Sequence, residues 1–276
     1  SSGKLNIQIN GFKRDYNDYD APSFKTEDHH TGVESGPFNT VKNSHGVNSL
    51  IGFGGSYMLD SGYAGLSFSR YDNDYGVPGE HADSDTLIEM ESDRFEFHSE
   101  IEVTGSDWLT GVELNFGYGD YKHSESGYET ESNVTEWHTH STYLREGFEG
   151  KIVLSHEIGE LTGVLGFHGL LDEFKIVGEE SIFGGLVEND KILSEDRTNL
   201  GVFIIEEYQL DDRTKINGGL RFDHIGRDFT GTSDRDDSAL SASVGFNRAL
   251  SELWSVGGNL NYTERVPDSA ELFSDG

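Results

Sequence analysis

Hydrophobic and polar residues alternate with a period of two along most of this chain, and that period belongs to a β-strand with one apolar face. The cleanest run is Trp108–Tyr118. Val112, Leu114, Phe116 and Tyr118 share one face, and Gly111, Glu113, Asn115 and Gly117 share the other. Leu5, Ile7 and Ile9 alternate with Lys4, Asn6, Gln8 and Asn10. The same pattern carries Ile216–Phe222, Leu240–Phe246 and Val256–Tyr262. In Arg94–Val103 the polar face holds Arg94, Glu96, His98, Glu100 and Glu102. Five ionisable side chains on one face need water or paired partners. Further candidates are Ser49–Met58, Gly62–Arg70, Gly147–Ile158, Leu161–Phe174 and Asn199–Leu210. Each is long enough for the roughly 9–11 residues with which a tilted strand crosses hydrocarbon. About eleven strands are expected in all.

The joints between these strands are short, then long, then short again. Tight turns are expected near Leu59–Ser61, Thr104–Asp107, Ile158–Glu160, Asp211–Arg213 and Ser251–Leu253. Long polar loops are expected near Asp15–Val47, Asn73–Ser92, His123–Glu146, Ile176–Thr198 and Arg227–Ser238. A soluble sandwich has no reason to sort its connections this way. An antiparallel transmembrane β-barrel does, with short periplasmic turns and long extracellular loops. The polar face that recurs on nearly every strand then becomes a wet lumen. Tyr57, Tyr63, Tyr71, Trp108, Tyr118, Tyr121, Tyr208, Trp254 and Tyr262 lie near strand ends, as interfacial girdles require. Single-chain bacterial barrels have an even strand count, so an odd count means either that a strand is missed or that the chain is part of a larger barrel.

Composition agrees with many short strands and turns: 35 Gly, 4 Pro and 12% aromatics in 276 residues. No run of 18 apolar residues is present, so no transmembrane helix is expected. The mean hydropathy of −0.56 would ordinarily mark a soluble protein, but a barrel escapes that test, because only alternate strand residues meet lipid and the loops are polar. Cysteine is absent, which removes disulfides and thiolate sites. No signal peptide opens the chain, which reads as a mature piece or an internal fragment. The net charge of −31 repels nucleic acid and attracts cations. No nucleophile elbow, P-loop, zinc-protease motif or dinucleotide fingerprint is found, so an enzyme is not expected.

Three segments resemble TonB-dependent outer-membrane receptors. The end of the chain, from Glu264 through Arg265, Pro267, Glu271, Leu272 and Phe273 to Gly276, is similar to their Arg-x-Pro-x-x-x-Glu-Leu-Phe signature. Gly65–Arg70 followed by Tyr71-Asp72-Asn73-Asp74-Tyr75-Gly76-Val77-Pro78-Gly79 resembles a motif of the receptors grouped with zinc uptake. Asn43-Ser44-His45-Gly46 before a Gly-rich strand is similar to a third segment there. The resemblance implies residues 1–276 of a 22-stranded barrel domain in the outer membrane, without its plug domain and its last strands. It also implies active transport of a metal ion or metal chelate, with zinc favoured and then an iron siderophore or haem. The implied partners are outer-membrane lipid and, through the plug, the TonB energy-transducing complex. No catalytic cofactor is implied. Zinc-type members often carry a His-rich run after the Tyr-Gly-x-Pro-Gly motif, and here only His81 stands there.

Residues for a metal gather in the polar stretches. Glu80, His81, Asp83 and Asp85 lie in an acidic tract from Asp72 to Asp93. Carboxylate and imidazole suit zinc or another divalent ion, while a solvated acidic loop explains the same residues without any ligand. His29 and His30 form a second candidate. His138 and His140 form a third, since an extended segment would point both imidazoles to one side. His98, His156 and His168 are expected to face the lumen or to be structural. Two other functions fit the same strands: a passive porin or surface adhesin, and a soluble β protein binding a metal or a glycan.

Overall fold

The computed structural model describes residues 3–27, 32–78, 85–131, 134–178, 192–231, 233–267 and residue 271. These form strands β1 (Leu5–Tyr16), β2 (Asp20–Glu27), β3 (Glu34–Thr40), β4 (Gly46–Leu59), β5 (Gly62–Pro78), β6 (Asp85–Glu102) and β7 (Leu109–Glu131). Then follow β8 (Val134–Ile158), β9 (Leu161–Gly178), β10 (Ile192–Asp211), β11 (Thr214–Phe229), β12 (Arg235–Ala249) and β13 (Ser255–Thr263). Eleven of them make one antiparallel sheet in the order β1-β4-β5-β6-β7-β8-β9-β10-β11-β12-β13. β2 and β3 form a separate hairpin inside the first long connection. The sheet is open, with β1 and β13 as its edges.

All five expected tight turns lie where the alternation breaks. The long loops do not. The polar stretches after Asn73 and His123 are mostly ladder, because β5 runs to Pro78, β6 starts at Asp85, β7 runs to Glu131 and β8 starts at Val134. After Ile176 and Arg227 the ladder continues to Gly178 and Phe229 and resumes at Ile192 and Arg235, with residues 179–191 outside the described ones. There both faces are polar, so the period-two signal disappears while backbone pairing continues. β8 reaches 25 residues for this reason.

Register fixes the two faces. One apolar row runs Phe53, Phe68, Phe95, Tyr118, Phe148 and Leu171 across β4 to β9. Ring centroids of Phe68 and Phe95 are 4.6 Å apart, and those of Tyr118 and Phe148 are 4.7 Å apart. These side chains pack against one another, yet Phe95 and Phe148 stay exposed. Among the described residues only Ile88, Val153, Ile176 and Ala239 are buried apolar side chains. That is no dry core for a soluble domain of this length. The sheet is one layer with an apolar side that nothing among the described residues covers, which favours the barrel reading over a soluble β protein.

Along β8 the apolar side runs from Phe148 to Ile158. Ten steps of ~3.3 Å at a ~40–45° tilt give about 23–25 Å of height, close to the apolar band of an outer-membrane barrel. One step beyond Phe68, Phe95, Tyr118, Phe148 and Leu171 the same side turns charged, with Arg70, Asp93, Asp120, Glu146 and Glu173 in register. The band ends abruptly in a water-seeking row. Of the expected girdle aromatics, Tyr63, Tyr71 and Tyr121 lie on the polar side instead, opposite Glu100, Ser92 and Ser92 respectively. Their neighbours alternate polar too, so end position alone misassigned them.

Candidate functional site

The polar side carries the chemistry. Midway along β7 and β8, Gly117, Gly119 and Gly147 leave the sheet bare of side chains. They floor a hollow of about 400 Å³ bordered by Arg94, Glu96, Tyr121, Arg145, Glu149 and Asp172. A Cβ on Gly119 would meet nothing within 4 Å, so the space there is open. A Cβ on Gly147 would lie 2.6 Å from the Asp172 Cβ, so that glycine lets β9 bring its carboxylate in.

Two groups border the hollow. Toward the loop end, His123 stacks on Tyr143 with centroids 4.3 Å apart and 21° between planes. The Tyr121 hydroxyl is 2.9 Å from His123 Nδ1, and Glu125 lies 3.5 Å from its Nε2. Toward β10, Asp172 is held by two guanidinium groups. Arg145 Nε donates to Oδ2 at 2.9 Å and Arg197 Nε to Oδ1 at 2.8 Å. Such a wall presents flat π-faces and fixed cations together, which suits an anionic ligand with planar groups.

The metal candidates fare unevenly. His29, His30, Glu80, His81 and Asp83 lie outside the described residues, as do Gly79, Leu272 and Phe273. Asp85 opens β6 opposite Pro78, and His138 sits on β8 opposite Gly127. His140 is skipped in the β7–β8 ladder, since Thr139 pairs with Ser126 and Ser141 with Glu125. That bulge breaks the strict alternation on which a shared side for His138 and His140 depended. The acidic tract is likewise a ladder and not a loop for most of its length. Its Asp72, Glu91 and Asp93 surround Arg70 at 3.1, 3.0 and 3.4 Å. Among the described residues no group of three or more His, Cys, Asp or Glu could hold a metal ion. His98 and His168 do face the polar side, bonded to Tyr63 and Glu149. His156 faces the apolar side, where its Nε2 is 3.1 Å from Glu206 across Gly163.

The motif residues prove to hold the framework. Asn43 Nδ2 donates to the carbonyls of Val77 and Thr86 at 2.9 and 2.8 Å, and Gly76 N donates to His45 O at 3.0 Å. Two of the quoted segments, Asn43-Ser44-His45-Gly46 and Tyr75-Gly76-Val77-Pro78, therefore lock together beside Tyr16 and β6. In the third, Arg265 makes a two-pronged bond to Glu271 at 2.7 and 2.6 Å, which ties the two ends of that segment together across Pro267. Sequence reasoning missed the arginine wall. Nothing but cross-strand register brings Arg145, Asp172 and Arg197 together.

A family model described as TonB dependent receptor-like, beta-barrel, matches residues 18–276. The chain belongs to this family. No curated protein sequence matches it. Among solved structures, one variant of the FrpB iron transporter from Neisseria meningitidis aligns with a TM-score of 0.72 at 13% identity, over 97% of this chain and 44% of that one. The copper transporter OprC aligns with a TM-score of 0.70 at 15% identity, over 97% and 42%. The open form of the ferric-catecholate import receptor Fiu from E. coli aligns with a TM-score of 0.65 at 10% identity, over 97% and 51%. At such identities the likeness is one of fold. This TonB-dependent receptor barrel segment spans about half the length or less of the solved structures named here. Those three are transporters or import receptors of metals and metal chelates, not enzymes.

Proposed function

We propose that this segment is wall of an outer-membrane receptor that takes up a scarce metal as an anionic chelate. The carrying observation is the glycine-floored hollow between the Tyr121–His123–Tyr143 cluster and the Arg145–Asp172–Arg197 bridge. On this reading the apolar side meets outer-membrane lipid and the polar side lines the lumen. The chelate stacks on the rings and sets its negative oxygens against the guanidinium groups. Passage is driven by the TonB energy-transducing complex acting on a plug, as in the family. No bond is made or broken, so no catalytic group is needed. A 22-stranded barrel supplies the rest of the wall.

A bare divalent ion, zinc first, is the second reading. The net charge of −31 raises the local cation concentration. Glu80, His81, Asp83, Asp85, His29, His30, His138 and His140 are then the residues that capture it.

Titration of the purified full-length receptor decides between them. Ferric citrate, a ferric catecholate, haemin and free Zn²⁺ are compared by calorimetry. The chelate reading expects a chelate to saturate the receptor, with affinity about tenfold weaker in the Arg145→Ala, Tyr121→Ala double variant. Saturation by Zn²⁺ with no response to any chelate would reject it.

A further inference from the structure

Arg197, Arg227 and Arg235 stand directly opposite one another on β10, β11 and β12, all on the polar side. Directly opposed residues hold their Cβ atoms only about 4.5–5.5 Å apart, and like charges so placed repel. The counter-charges are few. Asp172 serves Arg197 but also Arg145. Glu195 lies 3.2 Å from Arg227 Nε. Asp237 pairs with Arg235 and lies 3.7 Å from Arg227 Nη1. Among the described residues, four guanidinium groups thus share three carboxylates, a local positive excess in a chain of net charge −31.

Arg227 is the decisive member. Only 4% of its side chain is exposed, yet its Nε and Nη1 make no hydrogen bond. Glu195 is near but off the Nε–H direction, and Asp237 is too far from Nη1 for a hydrogen bond. A buried donor without an acceptor costs free energy, and a guanidinium fork is shaped to grip two oxygens of one anion. The arrangement asks for an oxyanion placed between the three arginines.

We propose that Arg197, Arg227 and Arg235 form an oxyanion-binding subsite on the lumen wall, taking a phosphate or carboxylate group of the incoming chelate. It rests on the chelate reading above and narrows it, for the transported species must carry an oxyanion that its metal does not occupy. The subsite lies beside the hollow, joined to it through Asp172, so one molecule can reach both.

The test leaves metal and transport aside. Full-length receptor in detergent is titrated at low salt with inorganic phosphate and, separately, with citrate. Saturable 1:1 binding of either anion is expected, weakening as NaCl is added. Arg235→Gln, at a half-exposed position, and Arg227→Lys, which keeps the charge but loses the fork, should each weaken it about tenfold. Arg248→Gln, at the turn end of β12, should leave it unchanged. Phosphate alone binding marks a tetrahedral site, and citrate alone marks a carboxylate site; either supports the proposal. Equal affinity in all variants overturns it. So does a wild-type receptor that binds neither anion while Arg227→Lys and Arg235→Gln lower its melting temperature, since a carboxylate of the receptor itself then fills the place. Failed uptake of every chelate would sink the transport reading yet leave this binding result standing.

Discussion

Asn43 occupies the space that a side chain at position 76 would need. A Cβ on Gly76 would lie 2.1 Å from Asn43 Oδ1 and 2.5 Å from its carbonyl oxygen. Asn43 itself sits at φ 56°, a left-handed conformation that Asn tolerates better than most residues. Its amide then ties the base of the β2–β3 arm to both strands of the β5–β6 hairpin. Gly76→Ala should push this contact apart and cost about 1–3 kcal/mol, and Asn43→Ala should cost a similar amount by leaving two carbonyls unpaired. Hydrogen exchange at residues 41–46 and 75–78 reads the effect. Unchanged protection in both variants would mean that the contact does not hold the arm.

Acid should loosen the same junction. Asp18 Oδ1 accepts the backbone N–H groups of Ser44 at 2.8 Å and His45 at 3.0 Å, and it lies 3.2 Å from His45 Nδ1. The Ser44 amide above all, with His45 assisting, holds the Asp18 carboxyl below its usual range. A depressed folded-state pKa means that this contribution is complete above the unfolded carboxylate's pKa and is lost as pH falls through the folded value. The protection factors of the Ser44 and His45 amides, corrected for the intrinsic pH dependence of exchange, should therefore be flat from neutral pH down to the ordinary carboxylate range and fall below it. Asp18→Asn should abolish that step. A step of equal size in Asp18→Asn would assign it to another group.

Filling the hollow should separate folding from binding. Gly119→Leu meets no atom within 4 Å at its Cβ, so the protein should fold with a stability change inside about 1 kcal/mol. The leucine would cover the glycine floor between Arg94 and Arg145, and affinity for any chelate that binds wild type should fall at least about tenfold. Unfolding in guanidinium gives the first quantity and calorimetry the second. Full affinity in this variant would move the ligand elsewhere.

His156 and Glu206 form a polar bridge on the apolar side, with side chains 10% and 26% exposed. Gly163 makes room, since a Cβ there would lie 2.5 Å from Glu206 Oε2. Removing one partner leaves the other unpaired beside hydrocarbon. Glu206→Leu or His156→Leu alone should each cost about 1–3 kcal/mol, while the double leucine variant should recover most of the loss. Unfolding in lipid vesicles checks the cycle. Strictly additive single losses would show the two side chains to be independent.

The part of the fold with one apolar and one polar side was legible because the two sides impose opposite demands on alternate residues. Val112 to Tyr118 records that demand directly, and the strand appears where the pattern put it. Past Tyr118, the pairs Asp120 with Tyr121, Lys122 with His123 and Ser124 with Glu125 are polar on both sides, so nothing in the sequence distinguishes strand from loop there. The metal candidates were chosen for residue type within such stretches, and the bulge at His140 shows why type was not enough. The Arg197, Arg227 and Arg235 row was invisible for a different reason. Its members lie far apart in sequence and acquire meaning only once the register of two ladders is known.

The strand order carries one more consequence. In an antiparallel sheet of eleven, the first and last ribbons point the same way. Two copies set rim to rim in the same orientation would thus meet head beside head, as a parallel seam in an otherwise alternating weave. A ring with no such seam closes only when an odd number of additional ribbons is inserted, the two outermost of them running opposite to these rims.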